Sequence, residues 1–175
     1  PVLAEQVAKK LSEYQGSLDL SRGLDHGAWT VLHHLYPQAN IPVVQLAMGA
    51  SLPIEEHVEL AAALQALRSE GVLILGSGNI VHNLRRLDRS AQPTTPDWAS
   101  EFDETIKAAL LQRDYEQLLA KDKSKHPLWG LSHPTIEHYV PLLYSLGATT
   151  EEDQITFPHE GFASGSISMR SVMFG

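Results

Sequence analysis

The stretch from Ile41 to Asn79, IPVVQLAMGASLPIEEHVELAAALQALRSEGVLILGSGN, decides the fold class. IPVVQLAMG at its start is β-branched and almost continuously apolar, the pattern of a strand buried on both faces. Pro53 then stands where a helix begins, Glu55 and Glu56 lie at its positive end, and Gly71 supplies the stop. VLIL follows as a second apolar run and leads into a Gly-Ser-Gly turn. Strand, helix, strand predicts an α/β domain with a largely parallel central sheet flanked by helices. Val43–Ala47 and Val72–Leu75 are its expected central strands, with the helix near 54–70 covering one face.

Outward from this unit, Val2, Leu3, Val7, Leu11 and Tyr14 fall near helical spacing, and GAWTVLHHLYP reads as a short helix ending at Pro37. SAQPTTPDW reads as a loop before a long helix near 97–119, with Asp97 as its cap. KDKSKHPLWGLSHPT is polar and irregular, and IEHYVPLLYSLGA is helical despite Pro141. The tail alternates, QITFPHEG then SISMRSVMFG, which predicts antiparallel strands at the carboxy terminus, the last near 166–174 joining the sheet. Residues 1–175 read as a single domain. The chain opens at Pro1 directly in helical sequence, which predicts a further segment upstream.

A hydrophobic content of 43% and a charged content of 19% are those of an ordinary globular domain. The net charge of -8 argues against a nucleic-acid surface, which needs a basic stripe. The absence of cysteine excludes disulfides and thiolate metal sites and fits a cytoplasmic location. No apolar run approaches the length of a membrane span, and no signal peptide is visible.

The chain holds nine histidines. His33 and His34 are neighbours on a short helix and point about 100° apart, so one is expected inside and one outside. His57, His126 and His159 sit among polar residues and read as surface histidines. Three others are placed differently. His26, beside Asp25 between two glycines, opens a helix, where the helix dipole disfavours imidazolium and keeps the ring able to accept a proton. His82 follows the second strand and its glycine turn, at the end of a sheet where ligands bind in open α/β folds. His138 adjoins Glu137, and consecutive helix positions line different walls of any shared site. The competing reading of His26 and His82 is that each is a buried ring satisfied by a backbone carbonyl. The Gly-Ser-Gly turn lacks the Lys and Ser/Thr of a P-loop and the third glycine of a dinucleotide fingerprint, so it reads as a site of close packing.

Four blocks in order, GLDHGAWTVLHHLYPQANIPVVQLAM, LGSGNIVHNLR, HPTIEHYVPLLYSLGA and SISMRSVMFG, closely resemble the class III extradiol ring-cleavage dioxygenases, nearest their DOPA 4,5-dioxygenase-like branch. The resemblance runs through nearly the whole chain but not the family's amino-terminal part, which supplies two metal-ligating histidines. It implies a non-haem metal, Fe(II) first and Zn as the alternative, acting on a catechol-type small molecule and O₂. It implies His82 as the acid/base, described in some members as a metal contact, and His26 across the substrate as a second catalytic and substrate-binding group. Glu137 falls at the family's metal carboxylate, and His138 matches a ligand position of zinc-associated members. His133 and Tyr139 are weaker substrate-binding candidates on the pocket wall. The expected partners are the aromatic substrate, O₂, the missing segment or a second chain, and further copies of the protein itself. No nucleic acid or membrane is expected.

Three readings compete. One is a metal-binding, non-oxygenase relative that serves in binding or signalling. Another is a zinc-dependent hydrolase built on His82 and His138 around a metal-bound water. The last is an interaction module that completes a partner's sheet.

Overall fold

A computed structural model describes residues 2–49, 51–120 and 126–175. The KDKSK part of the irregular stretch therefore lies outside the described residues. Seven α-helices are described: α1 (Val2–Lys10), α2 (His26–Leu35), α3 (Ile54–Ala62), α4 (Asp97–Gln112), α5 (Tyr115–Leu118), α6 (Trp129–Ser132) and α7 (Val140–Gly147). Four short strands close the chain: β1 (Ile155–His159), β2 (Phe162–Ala163), β3 (Ile167–Ser168) and β4 (Ser171–Phe174).

The helices form where their sequence signals place them. Glu55 and Glu56 occupy the first turn of α3, which tightens into a 3₁₀ turn over Gln65–Glu70 and stops at Gly71 in the left-handed region, φ 82°. The long helix splits, because Arg113 takes a left-handed conformation after α4 and Asp114 caps α5 through the Gln117 N–H. Asp97 opens α4 as its first residue, with Pro96 in the cap position. Pro141 is harmless in the first turn of α7, where a missing N–H breaks no helical bond.

Two apolar clusters hold the fold, and α7 contributes to both. Leu143 and Leu146 join Phe102, Ile106 and Leu110 of α4, with Leu118, Trp129 and Tyr139 around them. Val140 and Tyr144 join Leu60, Ala61, Leu64 and Leu67, and Leu11 closes that cluster.

The parallel central sheet is corrected. Among the described residues the ladders are two antiparallel pairs, β1 with β4 and β2 with β3. The carboxy-terminal antiparallel expectation is met, and residues 166–174 divide between the two pairs. The segments 42–48 and 72–78 lie in no helix and belong to neither ladder. Val72 and Ile74 rest against the second cluster, while Leu73 is 63% and Leu75 43% exposed. Val43 and Val44 are likewise exposed. A ladder needs a neighbouring strand to take the backbone N–H and C=O groups, and among the described residues neither run has one.

Two histidine expectations also change. His57 and His126 are buried rather than on the surface, His57 with its Nδ1 3.1 Å from the Tyr144 hydroxyl between α3 and α7. His33 and His34 are both exposed, because α2 buries no residue.

Candidate active site

The segment 72–82 runs along α7 and delivers His82. A side chain at Gly76 would collide with the Pro141 carbonyl and the Ser145 hydroxyl, and one at Gly78 with the His138 carbonyl. Only glycine lets the backbone pass so close to the start of α7. The close approach is sealed by the Asn79 N–H, which donates to the His138 carbonyl at 2.7 Å. The Gly-Ser-Gly turn thus serves as a packing device that draws the His82 segment onto the turn carrying His138.

Beyond it the chain is buried at Ile80 and Val81, and the His82 N–H donates to the Ser132 carbonyl at 2.8 Å. An antiparallel bridge joins His82 to Ile167. Asn83, also buried, donates from its side chain to the Leu131 carbonyl and accepts from the Arg85 N–H. The backbone of His82 is therefore fixed from three sides.

His82 and His138 meet. Their ring centroids lie 3.5 Å apart with the planes inclined by 27°. Burial lowers the His82 pKa, the charge of His138 lowers it further, and the Glu137 carboxylate acts in the opposite direction. Two imidazoles in face contact cannot both hold a proton cheaply, so His82 favours the neutral, proton-accepting form. Glu137 is exposed on the 3₁₀ turn Ile136–His138 and accepts from the Thr135 hydroxyl at 2.7 Å. Burial opposes its ionisation, but that hydrogen bond and the two histidines outweigh it and hold its pKa below the usual value.

The family described as the catalytic LigB subunit of aromatic ring-opening dioxygenase matches residues 1–175. The chain belongs to this family. It is 43% identical over 177 residues to the 4,5-DOPA dioxygenase extradiol of Escherichia coli, all of this chain against 65% of that protein. The Beta vulgaris protein of the same description is 39% identical, over 89% of this chain and 58% of its own length. A crystal structure of an uncharacterized Escherichia coli protein superposes with a TM-score of 0.90 at 41% identity, over 98% of this chain and 71% of that one. The chain thus spans 65% and 58% of the lengths of these two curated relatives.

The LigB-family chain places its other singled-out residues as follows. His26 is exposed at the first position of α2. Asp25 caps that helix by accepting from the Ala28 N–H at 3.1 Å, and its other oxygen accepts from the Gln45 side chain at 2.6 Å. Gly27 faces the Ser77 hydroxyl, which sets the start of α2 beside the Gly-Ser-Gly turn. His26 therefore stands near the turn, but among the described residues no contact joins its ring to the His82–His138 pair.

His133 and Tyr139 lie in the core. Tyr139 is fully buried and donates to the Leu118 carbonyl at 2.9 Å. His133 stacks on it at 5.0 Å and meets Trp129 edge-on at 4.3 Å. A groove of about 680 Å³ opens between residues 72–76 and 172–174, lined by Leu73, Leu75, Thr149 and Phe174, and holds none of the singled-out histidines.

The donor chemistry agrees with a divalent metal in part. Imidazole nitrogens and carboxylate oxygens are the donors that non-haem iron and zinc take, and His82, His138 and Glu137 carry such groups. Among the described residues no group of three or more such side chains is spaced to enclose an ion. These three can line one side of a metal site rather than complete it. The sequence alone did not reveal the frame that fixes His82. Asn83, Ser132 and Ser168 are small polar residues, and only their burial marks them.

Proposed function

We propose that this chain carries the proton-handling side of an extradiol ring-opening dioxygenase that acts on a catechol-type aromatic with O₂. The observation that carries the reading is the contact of His82 with His138, residues distant in sequence that the Gly76 and Gly78 close approach brings together. A shared task accounts for this convergence better than packing does, because half-buried polar rings stabilise a core poorly.

His138 and Glu137 are the residues that would hold the metal from this chain, Fe(II) by preference and Zn as the alternative, with His82 beside it free to act as the acid/base. Once bound, Fe(II) would supply open positions that bring catechol and O₂ together and favour the ionised phenol. His82, kept neutral by burial and by His138, accepts a proton from a phenolic hydroxyl and later returns it as the ring opens. Glu137 adds negative charge that stabilises a transient imidazolium at His82. His26, at the rim, serves as a hydrogen-bonding group to the substrate oxygen. His133 and Tyr139 support the site from behind, through the Trp129–Ser132 helix.

The test uses the whole protein containing this chain, loaded anaerobically with Fe(II) and then given catechol in an oxygen electrode. O₂ uptake matched by a ring-opened semialdehyde product supports the reading. Stable iron binding without O₂ uptake across a catechol panel would leave the non-oxygenase reading in its place.

A further inference from the structure

We propose that Ser168 and Asp103, clamped by Arg170, are positioning residues for His82; this rests on the acid/base role proposed above. Each hydrogen-bonding group of Ser168 is engaged. Its N–H donates to the Val81 carbonyl at 2.9 Å, and its carbonyl accepts from the Asn79 side chain at 2.7 Å. Its hydroxyl donates to Asp103 Oδ1 at 2.6 Å. One serine on β3 thus grips the segment that carries His82 with its backbone, and α4 with its side chain. The neighbouring Ile167 makes the antiparallel bridge to His82 itself.

Asp103 is the fixed post. It is 1% exposed on α4, next to Phe102 and one turn before Ile106 in the main core cluster. Its second oxygen accepts from Arg170 Nε at 2.8 Å and from Nη2 at 2.5 Å. The guanidinium also pairs with Glu104 and Glu160 and lies over the Phe157 ring, and Lys107 joins Glu160 at 2.8 Å. The Arg170 and Asp103 side chains are each only 2% exposed.

A buried ion pair of this kind seldom adds stability over apolar residues of the same volume, because desolvation offsets the attraction. What it adds is direction. A carboxylate held in a two-pronged grip presents its remaining oxygen at one place, and here that place is the Ser168 hydroxyl. Packing alone would let β3 slide on α4, and the His82 ring would move with it. Sub-ångström freedom in a proton-transferring group is costly in rate while leaving substrate binding largely alone.

The experiment compares Ser168→Ala, Ser168→Thr and Asp103→Asn with wild type in the whole Fe(II)-loaded protein. It reads kcat and KM for catechol, the melting temperature, and amide hydrogen exchange over residues 79–83. For Ser168→Ala the expected result is a kcat lower by about tenfold or more with KM within about twofold, and exchange in 79–83 faster by a similar factor. Ser168→Thr, which keeps the hydroxyl, should recover most of both; Asp103→Asn should lose them as Ser168→Ala does. A lower melting temperature with kcat and exchange unchanged would overturn the proposal, since the clamp would then be structural only. If the wild-type protein opens no ring, the functional reading fails separately. Exchange then decides the clamp: faster exchange in the variants supports it, and unchanged exchange refutes it.

Discussion

Replacing His133 by phenylalanine should remove a defined part of the protein's acid sensitivity while leaving its neutral stability nearly unchanged. His133 is 1% exposed, lies between Tyr139, Trp129 and Phe102, and makes no hydrogen bond of normal geometry through either ring nitrogen. Burial drives its pKa from 6.5 down to about 4, against weaker opposing effects of the Ile80 carbonyl and Glu137. A base whose folded pKa is depressed binds its proton more readily when unfolded. Its contribution is thus complete above pH 6.5 and is lost as pH falls toward about 4. At about 1.36 kcal/mol per pH unit, the loss is about 2 kcal/mol at pH 5 and roughly 3 kcal/mol at pH 4. Phenylalanine keeps the aromatic packing and has nothing to protonate. Urea unfolding followed by tryptophan fluorescence at pH 7.5 and pH 5 supplies the four free energies needed. The wild type should lose about 2 kcal/mol more than the variant between these conditions, and the buried His57, present in both, cancels. Equal losses would refute the assignment of a buried, neutral His133.

His82→Gln should lower kcat by ~10²–10⁴ with catechol binding largely kept, because proton transfer is lost and chelation is not; steady-state oxygen-electrode kinetics checks this. The acid limb of the wild-type rate profile should fall below the ordinary histidine value of 6.5, since burial and His138 depress the His82 pKa. Metal analysis separates the neighbours: Glu137→Ala depletes bound metal if the carboxylate is a ligand, and His138→Ala does so if the imidazole is. His26→Ala should retain metal and lose activity. Gly78→Ala forces a methyl group against the His138 carbonyl and should cost about 1–3 kcal/mol of stability, read as a lower melting temperature.

The sequence signals that proved legible were local ones. Pro53, Glu55, Glu56 and Gly71 bound the α3 region through caps and dipole, effects that act within one or two turns. The alternation in QITFPHEG and SVMFG marked the β1–β4 pair for the same reason. The parallel sheet was not legible, because β-branched composition reports suitability for a ladder and not the presence of partners; 41–48 and 72–78 have the composition without the ladder. His57 misled because its neighbours in sequence are polar, whereas its neighbour in space is Tyr144. The resemblance implied that His26, His82 and Glu137 or His138 share one site; the structure brings His82 against His138 and leaves His26 apart, and the glycines that permit the contact were visible in GSG. The Asp103–Arg170 post was invisible, since an acid in a helix and an arginine between two short strands look like solvated surface until their burial is known.

The most direct test of the central claim is isotope labelling of the ring-opening reaction in the whole Fe(II)-loaded protein. With labelled O₂ and catechol in ordinary water, the account predicts label from both atoms of one O₂ in the ring-opened product, at a rate that collapses in His82→Gln. A product that carries no label from O₂, or one formed equally fast by His82→Gln, would contradict it.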